Sequence, residues 1–381
     1  MQPERRFARA PASGIMSPFN PLLQGSTRMS RFWSPAIQSL TPYTPGEQPR
    51  IDGLIKLNTN ENPYPPAPGV RQAIHSIDTE QLRLYPDPEC LALKQALAAD
   101  QGLEPQQVFV GNGSDEVLAL AFMAFFRQQH PLLLPETTYS FYRVYIDLFG
   151  IHSRFIPLGA DFRINLDEYR GENGGIIFAN PNAPTGIALP LSEIRRLLER
   201  NTESVVIVDE AYVDFGAESA VPLIQEFPNL LVIQTFSKSR SLAGLRVGFA
   251  YGQAELIEGL ERVKNSFNSY PLDRIALNGA IAALEDRDYF EQCCRKIIAT
   301  REWTLAQLTD LGFEVLPSAA NFIFTSHAKL SGAELMQYLR DNRILVRHFS
   351  KPGIDNHLRI TIGTDEQMQA LIDCLKAHPA L

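Results

Sequence analysis

From residue 75 onward, short β-rich runs alternate with longer amphipathic stretches, and few folds accommodate that alternation. The runs are "QVFVGN", "PLLLPE", "GGIIFAN", "SVVIVDE" and "NLLVIQTF". Between them, "SDEVLALAFMAFFRQQ" and "LSEIRRLLERN" repeat apolar residues at the 3.6-residue spacing of helices packed on a sheet. Strands that alternate with helices imply a mostly parallel sheet flanked by helices, an α/β domain expected over residues 75–270. Beyond it, "RIALNGAIAALEDRDYFEQCCRKIIATREWTLAQLTDLG" reads as one long helix, followed by strands at "NFIFT", "LVRHF" and "HLRITIG". These predict a smaller α+β C-terminal domain over 271–381. Residues 1–28 carry two arginine clusters, scattered prolines and no period that could bury a face. They are expected to be a leader or added extension without order, with Met29 as the natural start; a transit-like peptide is the lesser alternative.

Composition closes off several function classes. A formal net charge of −8 over 381 residues argues against a nucleic-acid surface, which needs clustered Lys and Arg. No stretch of about 18 apolar residues is present to span a membrane. Cys90, Cys293, Cys294 and Cys374 have neither zinc-site spacing nor the density of a disulfide framework, which fits buried thiols in a reducing cytoplasm. The seven histidines are dispersed, so no metal site is expected.

In open α/β sheets ligands collect beyond the carboxyl ends of the strands. Four such ends carry chemistry: "SVVIVDE" reaches Asp209, "NLLVIQTF" runs into Lys238, "GGIIFAN" leads to Asn182, and "QVFV" opens into the turn "GNGSDE". Singly, each has a bland explanation as a cap, a proline-rich turn or a solvated charge. Together they match the needs of one cofactor, pyridoxal 5'-phosphate. Lys238 can supply the amine for its aldehyde, and Asp209 the anion that keeps its ring nitrogen protonated. Asn182 and Tyr212 can hydrogen-bond its phenolic oxygen. The turn at Gly113, Ser114 and Asp115 opens a helix whose N–H groups and dipole favour a phosphate by about 0.3–1 kcal/mol. Asp115 and Glu116 oppose that attraction, and Ser237 with Arg246 is the expected compensation.

The segments "NENPYPP", "LYPDPE", "GNGSDE", "TYSFY", "NPNAPTG", "VDEAY", "TFSKSRSLAGLRVGF" and "LRITIGT" together resemble the histidinol-phosphate aminotransferases, a branch of the fold type I pyridoxal-phosphate transferases. The resemblance runs from about Met29 to the carboxyl end. It implies that Lys238 carries the cofactor, that Ser237 and Arg246 bind its phosphate, that Tyr139 stacks on its ring and that Arg359 grips the substrate carboxylate. It also implies a cytoplasmic homodimer with shared active sites, in which the arm 29–74 contributes to the small domain and the dimer interface. One departure is Ala183, where many relatives carry asparagine.

The expected substrates are small molecules, histidinol phosphate and the pair glutamate/2-oxoglutarate. An arginine fork can bind a carboxylate or a phosphomonoester in turn, so Arg359 can serve both half-reactions. Tyr43, Tyr64 and Arg347 are expected to add donors for the phosphate, with Asn182 also near the substrate. The competing readings are an aromatic-amino-acid aminotransferase, a threonine-phosphate decarboxylase, a non-catalytic regulator domain and a nucleotide-binding protein. The last is weak because "GNGSDE" lacks the third glycine of a dinucleotide fingerprint.

Overall fold

The computed structural model describes residues 30–381. The expectations for residues 1–28 and for a start at Met29 lie outside the described residues. In chain order the strands are β1 (Ile55–Lys56), β2 (Val108–Asn112), β3 (Leu132–Pro135), β4 (Ser153–Ile156), β5 (Gly175–Ala179), β6 (Val206–Asp209), β7 (Leu230–Thr235), β8 (Val247–Gly252), β9 (Phe313–Val315), β10 (Phe322–His327), β11 (Ile344–Leu345), β12 (Arg347–His348) and β13 (His357–Thr361).

Seven of them form one sheet in the order β2-β8-β7-β6-β5-β3-β4. Neighbours from β7 to β4 pair in parallel, while β8 runs antiparallel to both β2 and β7. Helices cover both faces. Val108, Phe178, Val208 and Val232 enter one apolar cluster, and Phe109, Ile177, Ile207 and Ile233 enter another. Burial on both sides explains why these strands read as continuous apolar runs rather than as alternation.

The five strands expected from sequence are β2, β3, β5, β6 and β7, and the structure adds β4 and β8. The edge strand β4 pairs only with β3 and leaves Arg154 exposed, so it shows no apolar run. In β8, Gly248 and Gly252 interrupt the pattern of a fully buried strand. Gly248 is required by a close approach: a Cβ there would lie 2.2 Å from the Ser114 nitrogen and 2.3 Å from the Gly113 carbonyl carbon. The start of the helix Gly113–Phe125 therefore rests directly on β8.

The long helix expected after residue 271 is instead two, Arg274–Glu285 and Arg287–Asp310. Asp286 separates them, because its carboxylate accepts from the Tyr289 amide at 3.2 Å and caps the second helix. Beyond lies an antiparallel sheet in the order β12-β13-β10-β9. The expected strand "LVRHF" divides into β11, paired in parallel with β1, and β12, paired with β13. The N-terminal arm thus pairs its Ile55 and Lys56 with the chain's C-terminal part, and Leu57 joins Ile297, Ile323, Ile360 and Leu371 in a third apolar cluster. Cys90, Cys293 and Cys294 are buried free thiols. Among the described residues no helix is long and apolar enough to cross a membrane.

Candidate active site

The carboxyl ends of β3, β5, β6 and β7 open on a cavity of about 610 Å³, closed on its other side by the N-terminal arm, β12 and β13. Tyr43, Ser114, Asp115, Tyr139, Asp209, Tyr212, Ser237, Lys238, Arg246, Arg347 and Arg359 all line it. Gly113, Asn182 and Tyr64 are not among its lining residues; the other expected residues are brought together from segments more than three hundred positions apart.

Asp209 ends β6 and is 4% exposed. Burial pushes its carboxyl up to about 6, against the hydrogen bond from Tyr142, the Ala211 amide and the nearby Lys238, which pull the other way. Tyr142 donates to Oδ2 at 2.6 Å and the Ala211 amide to Oδ1 at 3.2 Å. Lys238 follows β7, and its Nζ reaches the Thr59 carbonyl at 3.5 Å and lies 5.7 Å from the Tyr212 ring centre. Backbone support for this lysine comes from the arm: Asn62 Nδ2 donates to the carbonyls of Lys238 and Ser239 at 3.0 and 3.1 Å. Asn182 follows β5 and is buried, held by its bonds to the Thr137 carbonyl at 3.0 Å and from the Thr138 hydroxyl at 2.9 Å. Ala183, the departure from the usual pattern, is buried against Ala320 and Phe322 and leaves those contacts intact.

At the helix start, Gly113 has φ +78 and a Cβ there would meet the Arg246 guanidinium at 2.5 Å. Only glycine lets Arg246 lie over the turn. Asp115 accepts from Tyr139 at 2.8 Å and from Arg246 at 3.1 Å, and Glu116 accepts from the Asn112 amide at 2.6 Å. The two carboxylates that would repel a phosphate are thus occupied locally. Ser237 lies buried beside them, its hydroxyl 3.0 Å from that of Thr235.

On the substrate side, Arg359 of β13 donates to the Asn58 carbonyl at 2.9 Å, while its buried Nε has no partner. Its guanidinium lies 5.5 Å from the Phe322 ring and 5.7 Å from that of Phe349. Burial lowers its pKa, and Arg347, its neighbour across β12 and β13, lowers it further. Tyr43 packs on Phe141 at 4.8 Å between ring centres. Tyr64 departs from expectation. It does not line this cavity; its ring packs beside the third apolar cluster, with Lys296 Nζ 5.2 Å from its centre.

Sequence reasoning missed Tyr142, Asn58, Asn60, Asn62, Thr138, Phe349 and Lys351. Lys351 also lines the cavity and donates to the Glu136 carbonyl at 2.7 Å. The asparagines recur at every second position in "LNTNEN", but Asn60 is left-handed, so no regular period marks them as site residues.

Residues 52–375 match the family model for aminotransferase class I and II. The chain belongs to that family. The histidinol-phosphate aminotransferase of Chromohalobacter salexigens is 60% identical over 349 residues, spanning 92% of this chain and 99% of that protein. Histidinol-phosphate aminotransferase 1 of Hydrogenovibrio crunogenus is 59% identical over 356 residues, spanning 92% and 100%. Among solved structures, histidinol-phosphate aminotransferase from Sinorhizobium meliloti in complex with pyridoxal-5'-phosphate aligns with a TM-score of 0.82 at 25% identity, covering 92% of this chain and 100% of that one.

The residues of this aminotransferase fit pyridoxal phosphate on their own geometry. A Cβ at Gly113 would fill the cradle, and a buried carboxylate, a lysine amine and an arginine with an unpartnered nitrogen line the same cavity. That donor set suits a ring with an anionic end, a basic nitrogen and an aldehyde.

Proposed function

We propose that this aminotransferase moves the amino group between L-histidinol phosphate and 2-oxoglutarate, giving imidazole acetol phosphate and L-glutamate in histidine biosynthesis, with pyridoxal phosphate as carrier. The observation that carries the substrate assignment is the pair Arg347 and Arg359. Two guanidiniums on adjacent strands face one cavity, and Arg359 keeps a buried Nε without a partner. Like charges held together are relieved most by a dianion, and a phosphomonoester is one near neutral pH. A carboxylate fits the same fork, which is how glutamate takes its turn.

When bound, the cofactor supplies an electron sink for the pair left on the substrate Cα after its C–H bond breaks. Lys238 would hold it through its amine and would be the base that moves the proton at the substrate Cα. Asp209 would keep the ring nitrogen protonated, Asn182 and Tyr212 would hold the phenolic oxygen, and Tyr139 would cover one ring face. Gly113, Ser114, Asp115, Ser237 and Arg246 would hold the phosphate, Asp115 through backbone and through its grip on Arg246.

A homodimer is supported by exposed apolar residues gathered near the helix start. Tyr85 stacks on Tyr270 at 4.6 Å, and both are exposed, as are Leu82, Leu84 and Phe267. Asn112 Nδ2 ties this region to the site by donating to the Pro271 carbonyl at 2.9 Å. A substrate contact from Tyr64 would have to be made in a second copy's cavity.

The test is kcat/KM for histidinol phosphate, phenylalanine, tyrosine and threonine phosphate, with 2-oxoglutarate as acceptor and carbon dioxide monitored. Preference for histidinol phosphate without carbon dioxide release supports the assignment. Preference for an aromatic amino acid, or carbon dioxide release, moves it to one of the competing reactions.

A further inference from the structure

We propose that Asn60 is a positioning residue for this reaction: its side-chain amide fixes the direction in which Tyr212 presents its hydroxyl hydrogen. The inference rests on the assignment of Tyr212 to the cofactor's phenolic oxygen and supplies the group that orients it. Asn60 is buried at 1% exposure and has φ 58, a left-handed conformation that asparagine tolerates. Its carbonyl accepts from Asn321 Nδ2 at 3.0 Å, which anchors the backbone.

The direction follows from counting hydrogens. The Asn60 amide N–H donates to Thr361 Oγ1 at 2.9 Å, and the Thr361 hydroxyl donates to Asn60 Oδ1 at 3.1 Å. With Oδ1 engaged, Asn60 Nδ2 faces the Tyr212 oxygen and donates to it at 2.9 Å. The reverse orientation of the amide would leave the single hydrogen of a buried threonine without an acceptor. Tyr212 therefore accepts from the arm, and its own hydrogen is left for the cavity that it lines with Lys238 and Asp209. An accepted hydrogen bond also polarises the hydroxyl into a stronger donor. Thr361 lies two residues beyond Arg359 on β13, so the strand that holds the substrate arginine also sets the tyrosine on the cofactor side.

The experiment reads the pH midpoint of the bound cofactor's visible band at saturating pyridoxal phosphate, beside the Tm of the cofactor-free protein. A donor to the phenolic oxygen stabilises its negative charge; weakening that donor makes the oxygen hold the neighbouring proton more tightly, so the midpoint rises. Tyr212→Phe sets the full shift. Asn60→Gly, which suits the left-handed backbone, is expected to raise the midpoint by about 0.3–1 unit, the effect of one neutral hydrogen bond. Thr361→Val, which frees the amide to turn, is expected to give a smaller rise. The double variant Asn60→Gly/Tyr212→Phe should match Tyr212→Phe alone. A purely structural role would lower Tm and leave the midpoint in place. If Tyr212→Phe shifts the midpoint and neither Asn60→Gly nor Thr361→Val does, the inference is overturned. If Tyr212→Phe itself leaves the midpoint unmoved, the assignment of Tyr212 fails, and the inference with it.

Discussion

Asp209 shows how a single residue reports on the whole site. Its carboxyl is held up to about 6 by burial in the cofactor-free protein, and a cation at the ring nitrogen would pull it back down. The free protein then binds more protons than the loaded one, so affinity for pyridoxal phosphate should fall as pH drops through about 6, by up to tenfold per unit. Fluorescence titration of the cofactor between pH 5 and 8 checks this, and Asp209→Asn should flatten the dependence. Stability of the cofactor-free fold has the opposite sign. A raised carboxyl favours the protonated folded state, so the contribution is full below the unfolded value of about 3.8 and is lost as pH rises through about 6. Asp209→Asn should therefore raise the Tm of cofactor-free protein at pH 8 and leave it nearly unchanged at pH 4. Arg359→Ala should lower kcat/KM for glutamate and histidinol phosphate alike, by about 2–5 kcal/mol, if Arg359 is the charged contact proposed for both substrates. Arg347→Ala should penalise histidinol phosphate more than glutamate in the same assay. Lys238, Asp209 and Asn182 were legible in the sequence because polar residues directly after apolar runs mark strand ends. Tyr142 and Asn60 were not. A lone tyrosine in an amphipathic helix looks like packing, and nothing local says that residue 60 will meet residues 212 and 361.

At the level of elements, the cradle proposed for the phosphate lies where the helix Gly113–Phe125 starts against β8, and Gly248 sets their separation. Gly248→Ala would place a methyl against backbone atoms 2.2 Å away, so the helix start must shift. A loss of about 1–3 kcal/mol in stability is expected, with a clear fall in cofactor affinity. Gly244→Ala, where nothing lies within 4 Å of the new Cβ, is the control and should change neither. Thermal melts with and without pyridoxal phosphate read both effects. Gly248 and Gly252 hid β8 from sequence reasoning, which relied on apolar runs. The central strands were easy for the converse reason: buried on both faces, they have no polar residue to break them. The division of the C-terminal helix at Asp286 was missed because apolar spacing continues across it, and only the carboxylate's bond to Tyr289 shows that the chain turns there.

Across the whole molecule, the arm residues 58–62 join the two halves of the site. Their groups reach Arg359, Lys238 and Tyr212. If the exposed surface around Tyr85 and Tyr270 is a dimer interface, the native protein should sediment at about twice the chain mass of 42.6 kDa. Leu82→Glu/Leu84→Glu should then shift it toward monomer. Mixing inactive Lys238→Ala subunits with inactive Tyr64 variants should restore activity if Tyr64 serves the partner's cavity. No recovery would confine Tyr64 to packing beside Lys296. The central claim, amino transfer at Lys238 from a phosphomonoester amine, is tested most directly by product stoichiometry. Holoenzyme is incubated with histidinol phosphate and 2-oxoglutarate, and glutamate, imidazole acetol phosphate and carbon dioxide are quantified for wild type and for Lys238→Ala. The account predicts equal amounts of glutamate and imidazole acetol phosphate, no carbon dioxide, and no multiple turnover in Lys238→Ala. Carbon dioxide in place of glutamate, or an unchanged turnover rate in Lys238→Ala, would contradict it.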